Sequence, residues 1–321
     1  MGNLAENCCI PTREFGFDLK LWHNLFTDFT FPFVGFEELH LKFGDFGVEI
    51  LFEGTMKIDG GAVFGMVPRT IWERILPPDA KNKVKLGLRQ ILVKGKDFNL
   101  IVDAGIGDNL SSKLKAIYSV EINQNWETRL KPHGLTAQDI THLVFTHLHF
   151  DHAAGATCLN EDKTEVVPVF PNAEVFIQEG EWVEATVPNE LTRGSYRYHD
   201  FIPLKESRNF RLITGDQEII DGIKVKVTGG HTSFHQMVII SQGQKRIYIP
   251  GDLIPTSCHL NVAWHSAFDL FPIETLKARK SFLAKIINQD HLVFFGHDPE
   301  GGFKKITGTI EKPQVLDFNA S

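Results

Sequence analysis

The chain of 321 residues contains 42% hydrophobic and 23% charged residues, a composition typical of globular proteins that bury a full core. Its formal net charge of −7 disfavours nucleic acid as a partner, because phosphate binding needs a basic surface. Four cysteines in a chain of this length exclude a disulfide framework.

The start of the chain carries no evident targeting signal, because residues 1–6 lack the basic and apolar regions of a signal peptide. The longest apolar stretch near the start, residues 19–36, is interrupted by Lys20, Asp28 and Pro32, so it is too polar to span a bilayer. We therefore predict a cytoplasmic protein with no membrane partner.

Phenylalanine is concentrated near the start: nine of the 26 phenylalanines lie between Phe15 and Phe46. Their irregular spacing fits neither a helix nor a strand, and we interpret residues 1–46 as a Phe-rich N-terminal arm. Three roles are open for this arm: its rings pack on the main domain, cover a partner subunit in a homodimer, or wall a cleft. No linker-like stretch follows, so residues 47–321 are predicted to form a single domain.

The pattern of apolar residues becomes regular after this arm. It predicts three strands, over residues 48–53, 84–93 and 99–103. Residues 111–140 are predicted to be helical, and Thr136 can cap a helical turn near the end of this stretch. A buried strand is predicted next, over residues 141–146.

The predicted strand leads into a loop with four side chains that can bind metal, in the run His147-Leu148-His149-Phe150-Asp151-His152. Neutral imidazoles and a carboxylate form a ligand set that suits zinc and its neighbours among the transition metals. The i, i+2 spacing places His147 and His149 on one side of an extended segment, and Asp151 and His152 can turn toward a second point. Open α/β sheets place their chemistry at the carboxyl ends of strands, so this loop is a candidate metal site rather than a solvated turn.

Three later predicted strands each end in one more candidate ligand: His231, Asp252 and His297. Each alone is weak evidence, because a single His after a strand is more often a hydrogen-bonded structural residue and Gly-Asp commonly marks a turn. Four strand ends that each carry His or Asp together predict one metal centre. Residues 273–289 are predicted to form an amphipathic helix.

The motifs His-x-His-x-Asp-His, Gly-His-Thr, Gly-Asp and Gly-His, in this order, resemble the metallo-β-lactamase superfamily of binuclear metallohydrolases over residues 48–297. Within this superfamily they look closest to the N-acyl-homoserine lactonases and methyl parathion hydrolase, which share a Gly-His-Thr-x-x-His stretch matched here by residues 230–235. The resemblance implies the α+β class with a four-layer αββα sandwich, and a catalytic role for the single domain.

The resemblance also implies two divalent metal ions, expected to be zinc, held by seven side chains. One ion is expected on His147, His149 and His231, the other on Asp151, His152 and His297, with Asp252 bridging the two. Two cations roughly 3.5–4 Å apart repel, so a bridging carboxylate and a bridging hydroxide are needed, and the hydroxide is the expected nucleophile. Asp151 or Asp252 is expected to carry the proton to the leaving group, with both alternatives open.

Three more residues are expected to support the site. Asp103 lies in an Asp-Ala-Gly strand end that resembles the superfamily's, where the Asp holds the metal loop without binding metal. His235 lies close to His231 in the sequence and is expected to orient it. His259 follows the bridging Asp closely enough to be a candidate for lining the cleft.

One position departs from the lactonase pattern. Homoserine lactonases of the resembled type have a Tyr three residues after the bridging Asp, where it can hydrogen-bond the substrate carbonyl, but Pro255 stands here and has no donor. Residues on loops are alternatives for this role: Tyr196, Tyr198, His199 and His259.

These observations predict a binuclear metal-dependent hydrolase whose metal-bridging hydroxide cleaves an ester-like bond, in a lactone or in an aryl ester or phosphotriester. The acidic net charge and the abundant aromatic residues favour a small apolar or weakly charged substrate. Two alternatives share the fold. One is a di-iron redox protein, although His149 stands where such proteins have a Glu; the other is a phosphodiesterase or nuclease, which the net charge of −7 disfavours.

Overall fold

The computed structural model describes residues 40–206 and 209–318 of the chain. Most of the predicted Phe-rich arm, residues 1–39, lies outside the described residues. Residues 40–46, the remainder of that arm, form the first strand and the turn into the second, so the sheet begins before the predicted boundary at residue 46. None of the helices in the described part of the chain has the length and apolar character needed to cross a lipid bilayer.

The described residues form 17 strands and eight α-helices. The strands are β1 (His40–Phe43), β2 (Phe46–Asp59), β3 (Lys83–Lys94), β4 (Asn99–Val102), β5 (Glu121–Ile122), β6 (His142–Val144), β7 (Thr157–Leu159), β8 (Val166–Pro168), β9 (Glu174–Gln178), β10 (Phe210–Ile213), β11 (Gln217–Ile220), β12 (Ile223–Val227), β13 (Gln236–Gln242), β14 (Lys245–Ile249), β15 (Leu292–Phe294), β16 (Phe303–Gly308) and β17 (Pro313–Asp317). The helices are α1 (Gly60–Phe64), α2 (Arg69–Trp72), α3 (Ser112–Ile117), α4 (Trp126–Leu130), α5 (Phe150–Ala153), α6 (Glu179–Thr186), α7 (Tyr198–Phe201) and α8 (Pro272–Ile286).

Two large sheets form the framework. The first has the order β1-β2-β3-β4-β6-β9-β10, with β5 paired to β2, and the second has the order β11-β12-β13-β14-β15-β16-β17. In the first sheet β4, β6, β9 and β10 run parallel, and in the second β14 and β15 run parallel. Parallel neighbours bring their carboxyl ends to the same edge of a sheet, and the loops that carry the candidate ligands begin at these ends.

The two sheets pack face to face around one core. Successive residues of β3 point to opposite sides of the first sheet, so Ile91 packs between the sheets with Val225 of the second sheet, whereas Leu92 packs on the outer face. There the outer face is covered by Trp126 of α4 and Trp182 of α6.

Helix α8 covers the outer face of the second sheet, where its Phe282 and Leu283 pack on Val293 of β15. The amphipathic helix predicted over residues 273–289 is thus confirmed, with bounds of Pro272–Ile286. Helices, two sheets and helices make four layers, so the predicted αββα sandwich of the α+β class is confirmed.

The prediction of a helical stretch over residues 111–140 was wrong for most of its length. This stretch forms the short helices α3 and α4, the two-residue strand β5, and two 3₁₀ turns at Lys131–His133 and Ala137–Asp139. Gly134 ends the first turn with a left-handed φ of 70°, a conformation that stops a helix. Thr136 caps the second turn as predicted, in a capping box.

Candidate metal centre

Strand ends from both sheets meet in one cluster. The loop 147–152 follows β6 of the first sheet, and His231, Asp252 and His297 follow β12, β14 and β15 of the second. Because β4 and β6 are parallel neighbours, Asp103 at the end of β4 lies beside this loop. The side chains are buried or nearly so, which shields the cluster from bulk water.

All seven side chains expected to bind metal belong to this ligand cluster. Their donor atoms form three overlapping groups, each with its members within 4.8 Å of one another: His147, His149 and His231; His147, His152 and Asp252; and Asp151, His152 and His297. Asp252 Oδ1 lies 3.3 Å from Nε2 of both His152 and His297. Its Oδ2 lies 3.4 Å from His231 Nε2. The two oxygens of Asp252 therefore face two different halves of the cluster.

The ring nitrogens of the cluster are arranged to receive a cation. His152 Nδ1 lies 2.9 Å from Asp103 Oδ2, and His297 Nδ1 lies 2.9 Å from the carbonyl oxygen of Gly87, so these partners assign the ring proton to Nδ1 in both. The two Nε2 atoms, 3.1 Å apart, then face each other with their lone pairs. Such a contact is repulsive unless a proton or a metal cation lies between the rings, so the residues fit a bound metal ion.

The other half of the cluster repeats this arrangement. His231 Nδ1 lies 2.9 Å from Asp269 Oδ1, which leaves His231 Nε2 facing His149 Nδ1 at 3.1 Å. His147 Nε2 and Asp252 Oδ1 are buried without a hydrogen-bond partner in the described structure. Because buried polar atoms are rarely left unpaired, these two atoms fit metal ligands.

Burial and charge set the protonation of the cluster. Burial, with the neighbouring histidines, lowers the pKa of His147 and His149 well below the ordinary value, so both stay neutral, which is the form that binds metal. Burial also opposes charge on His152 and His297, but Asp252 together with Asp151, and for His152 also Asp103, outweighs it and raises their pKa. These two rings in turn overcome the burial of Asp252 and hold its pKa well below the usual range.

Asp103 contacts the metal loop in the way expected. Its Oδ1 accepts from the backbone N–H of Thr146 at 2.7 Å, and its Oδ2 accepts from the Thr146 hydroxyl at 2.8 Å. The same Oδ2 holds Nδ1 of His152. Asp103 has a φ of 58°, which is rare for a residue other than glycine and aims its side chain at the loop.

His235 supports a different residue from the one predicted. It was expected to orient His231, but their ring centroids are 6.0 Å apart and no hydrogen bond joins them in the described structure. Instead, the backbone N–H of Asp252 donates to His235 Nε2 at 3.1 Å, and His235 Nδ1 lies 2.6 Å from the Thr228 hydroxyl. Thus His235 fixes the backbone of the central carboxylate.

His259 does not line the cleft, contrary to the prediction. Its side chain is fully buried, with Nδ1 2.8 Å from the Thr256 hydroxyl and Nε2 3.0 Å from the carbonyl oxygen of Val63. Its ring stacks on Phe64 of α1, and burial, with Arg279, lowers its pKa to about 4. It is a neutral core residue that joins the segment around Thr256 to helix α1.

A buried ion pair that no motif identifies holds His231 from behind. Asp269 Oδ1 lies 2.9 Å from His231 Nδ1, and Arg279 Nη2 lies 3.5 Å from Asp269 Oδ2, with both charged side chains fully buried. Arg279 also donates to the carbonyl oxygens of Leu253 and Trp264. The pair therefore connects one candidate ligand to helix α8.

Glu181, at the start of α6, ties three loops of the site together. Its Oε1 accepts from the backbone N–H of Leu148 at 3.0 Å and from the Tyr196 hydroxyl at 2.8 Å, and its Oε2 accepts from the Thr232 hydroxyl at 2.6 Å. Leu148 lies between two histidines of the loop, and Thr232 directly follows a third. Burial raises the pKa of Glu181 against these hydrogen bonds. Sequence spacing provides no signal for this residue.

A cleft opens beside the ligand cluster, with about 600 Å³ of open space including solvent at its mouth. The members of the cluster that reach it are His149, Asp151, His231, Asp252 and His297. The remaining walls are mostly apolar: Met56, Ile58, Val63, Leu86, Tyr118, Phe150, Ser195, Pro255, Thr256, Ser266 and Phe268. This described lining contains no Lys or Arg, so the cleft offers no side-chain cation to a charged substrate.

The tyrosine that lines this cleft is not one of those predicted from the sequence. Pro255 does line it, but Tyr196, Tyr198 and His199 do not. The Tyr196 hydroxyl is engaged by Glu181, and Tyr198 is 49% exposed on α7. Tyr118, to which no motif points, lines the cleft beside Phe150. Burial raises its pKa, with a contribution from Asp151, so its hydroxyl stays a neutral donor.

Known proteins match the chain over the region that holds the cluster. The family profile described as Metallo-beta-lactamase superfamily matches residues 90–297, which is more than half of the chain. An N-acyl homoserine lactonase of Bacillus cereus is 27% identical over 176 residues, which cover 54% of this chain and 62% of the relative. The match therefore spans less than two thirds of that relative's length.

Solved structures match a larger share of the chain. A probable metal-dependent hydrolase from Staphylococcus aureus is 30% identical, with a TM-score of 0.80, and the match covers 88% of this chain and 100% of that one. AidC, a dizinc quorum-quenching lactonase in complex with a product, is 19% identical with a TM-score of 0.71 over 88% of this chain and 98% of its own, and it shares the fold. The family profile matches more than half of the chain, and the fold and the gathered motif residues agree with it. The chain therefore belongs to the metallo-β-lactamase superfamily.

Proposed function

We propose that the protein is a hydrolase that holds two divalent metal ions, expected to be zinc, and cleaves an ester-like bond. Lactones are the first substrate class, followed by aryl esters and phosphotriesters. The observation that carries the proposal is the position of Asp252, whose two oxygens face two separate groups of histidine nitrogens. The relatives named N-acyl homoserine lactonase support the lactone class.

Two groups of three side chains would hold the ions, with Asp252 between them. The groups are His147, His149 and His231, and Asp151, His152 and His297. When bound, two such cations would polarise the oxygen of the scissile group and lower the pKa of a water molecule toward about 7, which supplies hydroxide at neutral pH. The surrounding Asp103, Asp269 and Glu181 keep the ligand loops in place for this chemistry.

Asp151 is the better placed of the two carboxylates to carry a proton to the leaving oxygen. Both oxygens of Asp252 lie within 3.4 Å of histidine nitrogens that would bind the ions, so both would be engaged by the ions. Asp151 is held less closely, since its Oδ2 lies 3.6 Å from His297 Nε2. Since Asp151 also lines the cleft, its carboxylate can carry a proton to the leaving oxygen next to the substrate.

The walls of the cleft favour a neutral substrate with an apolar part. Met56, Phe150 and Phe268 offer surface for an acyl chain or an aromatic ring. A phosphodiester carries a negative charge and would find no Lys or Arg in the described lining. The lining therefore disfavours the phosphodiesterase or nuclease alternative.

A hydrolysis panel with the zinc-loaded full-length chain tests this function. The panel contains N-acyl-homoserine lactones, simple γ-lactones, aryl esters and paraoxon-type triesters. We expect turnover of at least one class, loss of turnover after chelation and recovery after zinc is returned. A metal-containing protein that hydrolyses no member would contradict the proposal. Oxygen consumption by iron-loaded protein, without hydrolysis, would favour the di-iron alternative.

A further inference from the structure

Tyr118 is distinguished from the other tyrosines by its place in the cleft. The chain has four tyrosines, all within the described residues. The hydroxyl of Tyr196 donates to Glu181, Tyr198 is half exposed on α7, and Tyr248 packs on the outer face of the second sheet. Tyr118 alone among the four lines the cleft, and its hydroxyl makes no hydrogen bond with the described residues.

The main chain and the ring of Tyr118 are both fixed, although its hydroxyl is not engaged. Its carbonyl oxygen accepts from the N–H of Lys57 at 2.7 Å, and its N–H donates to the carbonyl oxygen of Leu114 at 2.9 Å. Its ring lies 5.0 Å from that of Phe150, the residue before Asp151. A donor held by its backbone and ring is preorganised, so little entropy is lost when it binds an acceptor.

The other hydroxyls of the cleft wall are less suited to bind a substrate. The Thr256 hydroxyl lies 2.8 Å from His259 Nδ1, and the Ser266 hydroxyl oxygen accepts from the N–H of Phe268 at 2.8 Å. Both hydrogen bonds lie within the loop that carries the residue. Ser195 has no side-chain hydrogen bond in the described structure, and the Ser266 hydroxyl accepts one but keeps its own hydrogen to donate, so these two serines are the competitors for the role.

We propose that the Tyr118 hydroxyl donates a hydrogen bond to the oxygen of the scissile carbonyl or phosphoryl group and so orients the substrate over the ligand cluster. This inference rests on the proposed hydrolase function. An acceptor oxygen that enters a mostly apolar cleft loses its hydrogen bonds to water, and a positioned donor restores one of them. The same bond strengthens as negative charge develops on that oxygen in the transition state.

The variant Tyr118→Phe tests the role, because it removes the hydroxyl and keeps the ring against Phe150. For the best substrate of the panel we expect kcat/KM to fall about 10- to 100-fold, with kcat affected more than KM, since the bond is strongest in the transition state. Zinc content and Tm are expected to match those of the wild-type protein. Tyr198→Phe is the matched control and is expected to keep wild-type kinetics. A loss that follows Ser195→Ala or Ser266→Ala and not Tyr118→Phe would overturn the proposal.

The outcomes separate this proposal from the hydrolase function. If the wild-type protein hydrolyses a lactone and Tyr118→Phe keeps more than half of its kcat/KM, the role of Tyr118 is wrong and the hydrolase remains. If the wild-type protein hydrolyses nothing, the proposed function fails, and calorimetry with the γ-lactam analogue of N-hexanoyl homoserine lactone decides the role of Tyr118. Binding about 10-fold weaker in Tyr118→Phe supports it. Equal binding, or no binding to either protein, overturns it.

Discussion

At the scale of single residues, three histidines of the cluster differ in the group that accepts a hydrogen bond from Nδ1, the ring nitrogen that faces away from the cluster. His152 and His231 face carboxylates, those of Asp103 and Asp269, whereas His297 faces a backbone carbonyl. A carboxylate makes an imidazole a stronger ligand than a neutral carbonyl does. We therefore expect His152 and His231, one in each half of the cluster, to contribute most to metal affinity.

Asp269→Asn tests this expectation in one half of the cluster. The variant keeps an oxygen for His231 but removes the charge, and it leaves the buried cation of Arg279 unpaired. We expect zinc affinity to fall about 10- to 100-fold, measured by competition with a chelator. The unfolding free energy of the zinc-free protein is expected to fall by about 3–5 kcal/mol in urea titrations.

The control for this prediction is an exposed ion pair between the first residue of α2 and the residue that follows its last. Glu73 Oε2 lies 2.9 Å from Arg69 Nε, and both side chains are exposed. Glu73→Gln is expected to change the unfolding free energy by no more than about 0.5 kcal/mol and to leave zinc affinity unchanged. If Asp269→Asn bound zinc as tightly as the wild-type protein, Asp269 would have no part in orienting His231.

At the scale of elements, the short helix α7 buries a carboxylate beside a single arginine. Asp200 is 2% exposed, and its Oδ1 lies 3.2 Å from Arg197 Nη2. Its other oxygen has no hydrogen-bond partner in the described structure. Burial, against the opposing effect of Arg197, raises the pKa of Asp200 from 3.8 to about 7. The folded protein therefore holds a proton here at pH values where the unfolded chain has lost it.

This raised pKa predicts how stability depends on pH. The stabilising contribution of the Asp200 proton is complete below pH 3.8 and is lost as the pH rises through about 7. Asp200→Asn removes the titration. The unfolding free energy of the wild-type protein minus that of the variant is therefore expected to decrease between about pH 5 and about pH 8, by at most about 1.4 kcal/mol per pH unit. Urea unfolding of both metal-free proteins measures this difference.

Asp290 provides a control with the opposite shift. It is exposed, and hydrogen bonds from Lys305 and Lys245 lower its pKa to about 2. Its contribution is complete above the unfolded pKa of 3.8 and is lost only at lower pH. The difference between the wild-type protein and Asp290→Asn should therefore stay flat from about pH 5 to about pH 8. A flat difference for Asp200→Asn as well would contradict the buried proton.

Elements with regular apolar periodicity could be predicted from the sequence. The strands predicted over 84–93 and 141–146 correspond to β3 and β6. The strand predicted over 48–53 is part of β2, which continues to Asp59 and stays paired with β3 through a register shift between Phe52 and Gly54. In the stretch 111–140 the caps at Ser111, Asn125 and Thr136 are local. The break between α3 and α4 could not be predicted, because it depends on the pairing of β5 with β2 and on the hydrogen bond from Lys57 N–H to the carbonyl oxygen of Tyr118.

At the scale of the whole molecule, the two sheets each contribute part of the site. The first sheet supplies the loop 147–152, and the second supplies His231, Asp252 and His297. The cluster therefore forms only when the sandwich closes, so metal binding is expected to stabilise the folded chain.

This division explains which site residues the sequence could identify. The ligands lie in short motifs at strand ends, where spacing alone identifies them. The residues that support the ligands cannot be identified by spacing, because they lie far from their partners in the sequence. Asp269 is 38 positions from His231, and Glu181 is 51 positions from Thr232. The position of Tyr118 in the cleft also depends on how the chain packs, so it too required the folded structure.

The metal content of the purified full-length chain tests the central claim most directly. Elemental analysis is expected to find about two zinc ions per chain in the wild-type protein and clearly fewer in Asp252→Ala, because both halves of the cluster lose a ligand oxygen. Asp290→Ala, at an exposed position, is the control and is expected to keep both ions. A correctly folded wild-type protein that takes up one ion or none when zinc is supplied would contradict the account.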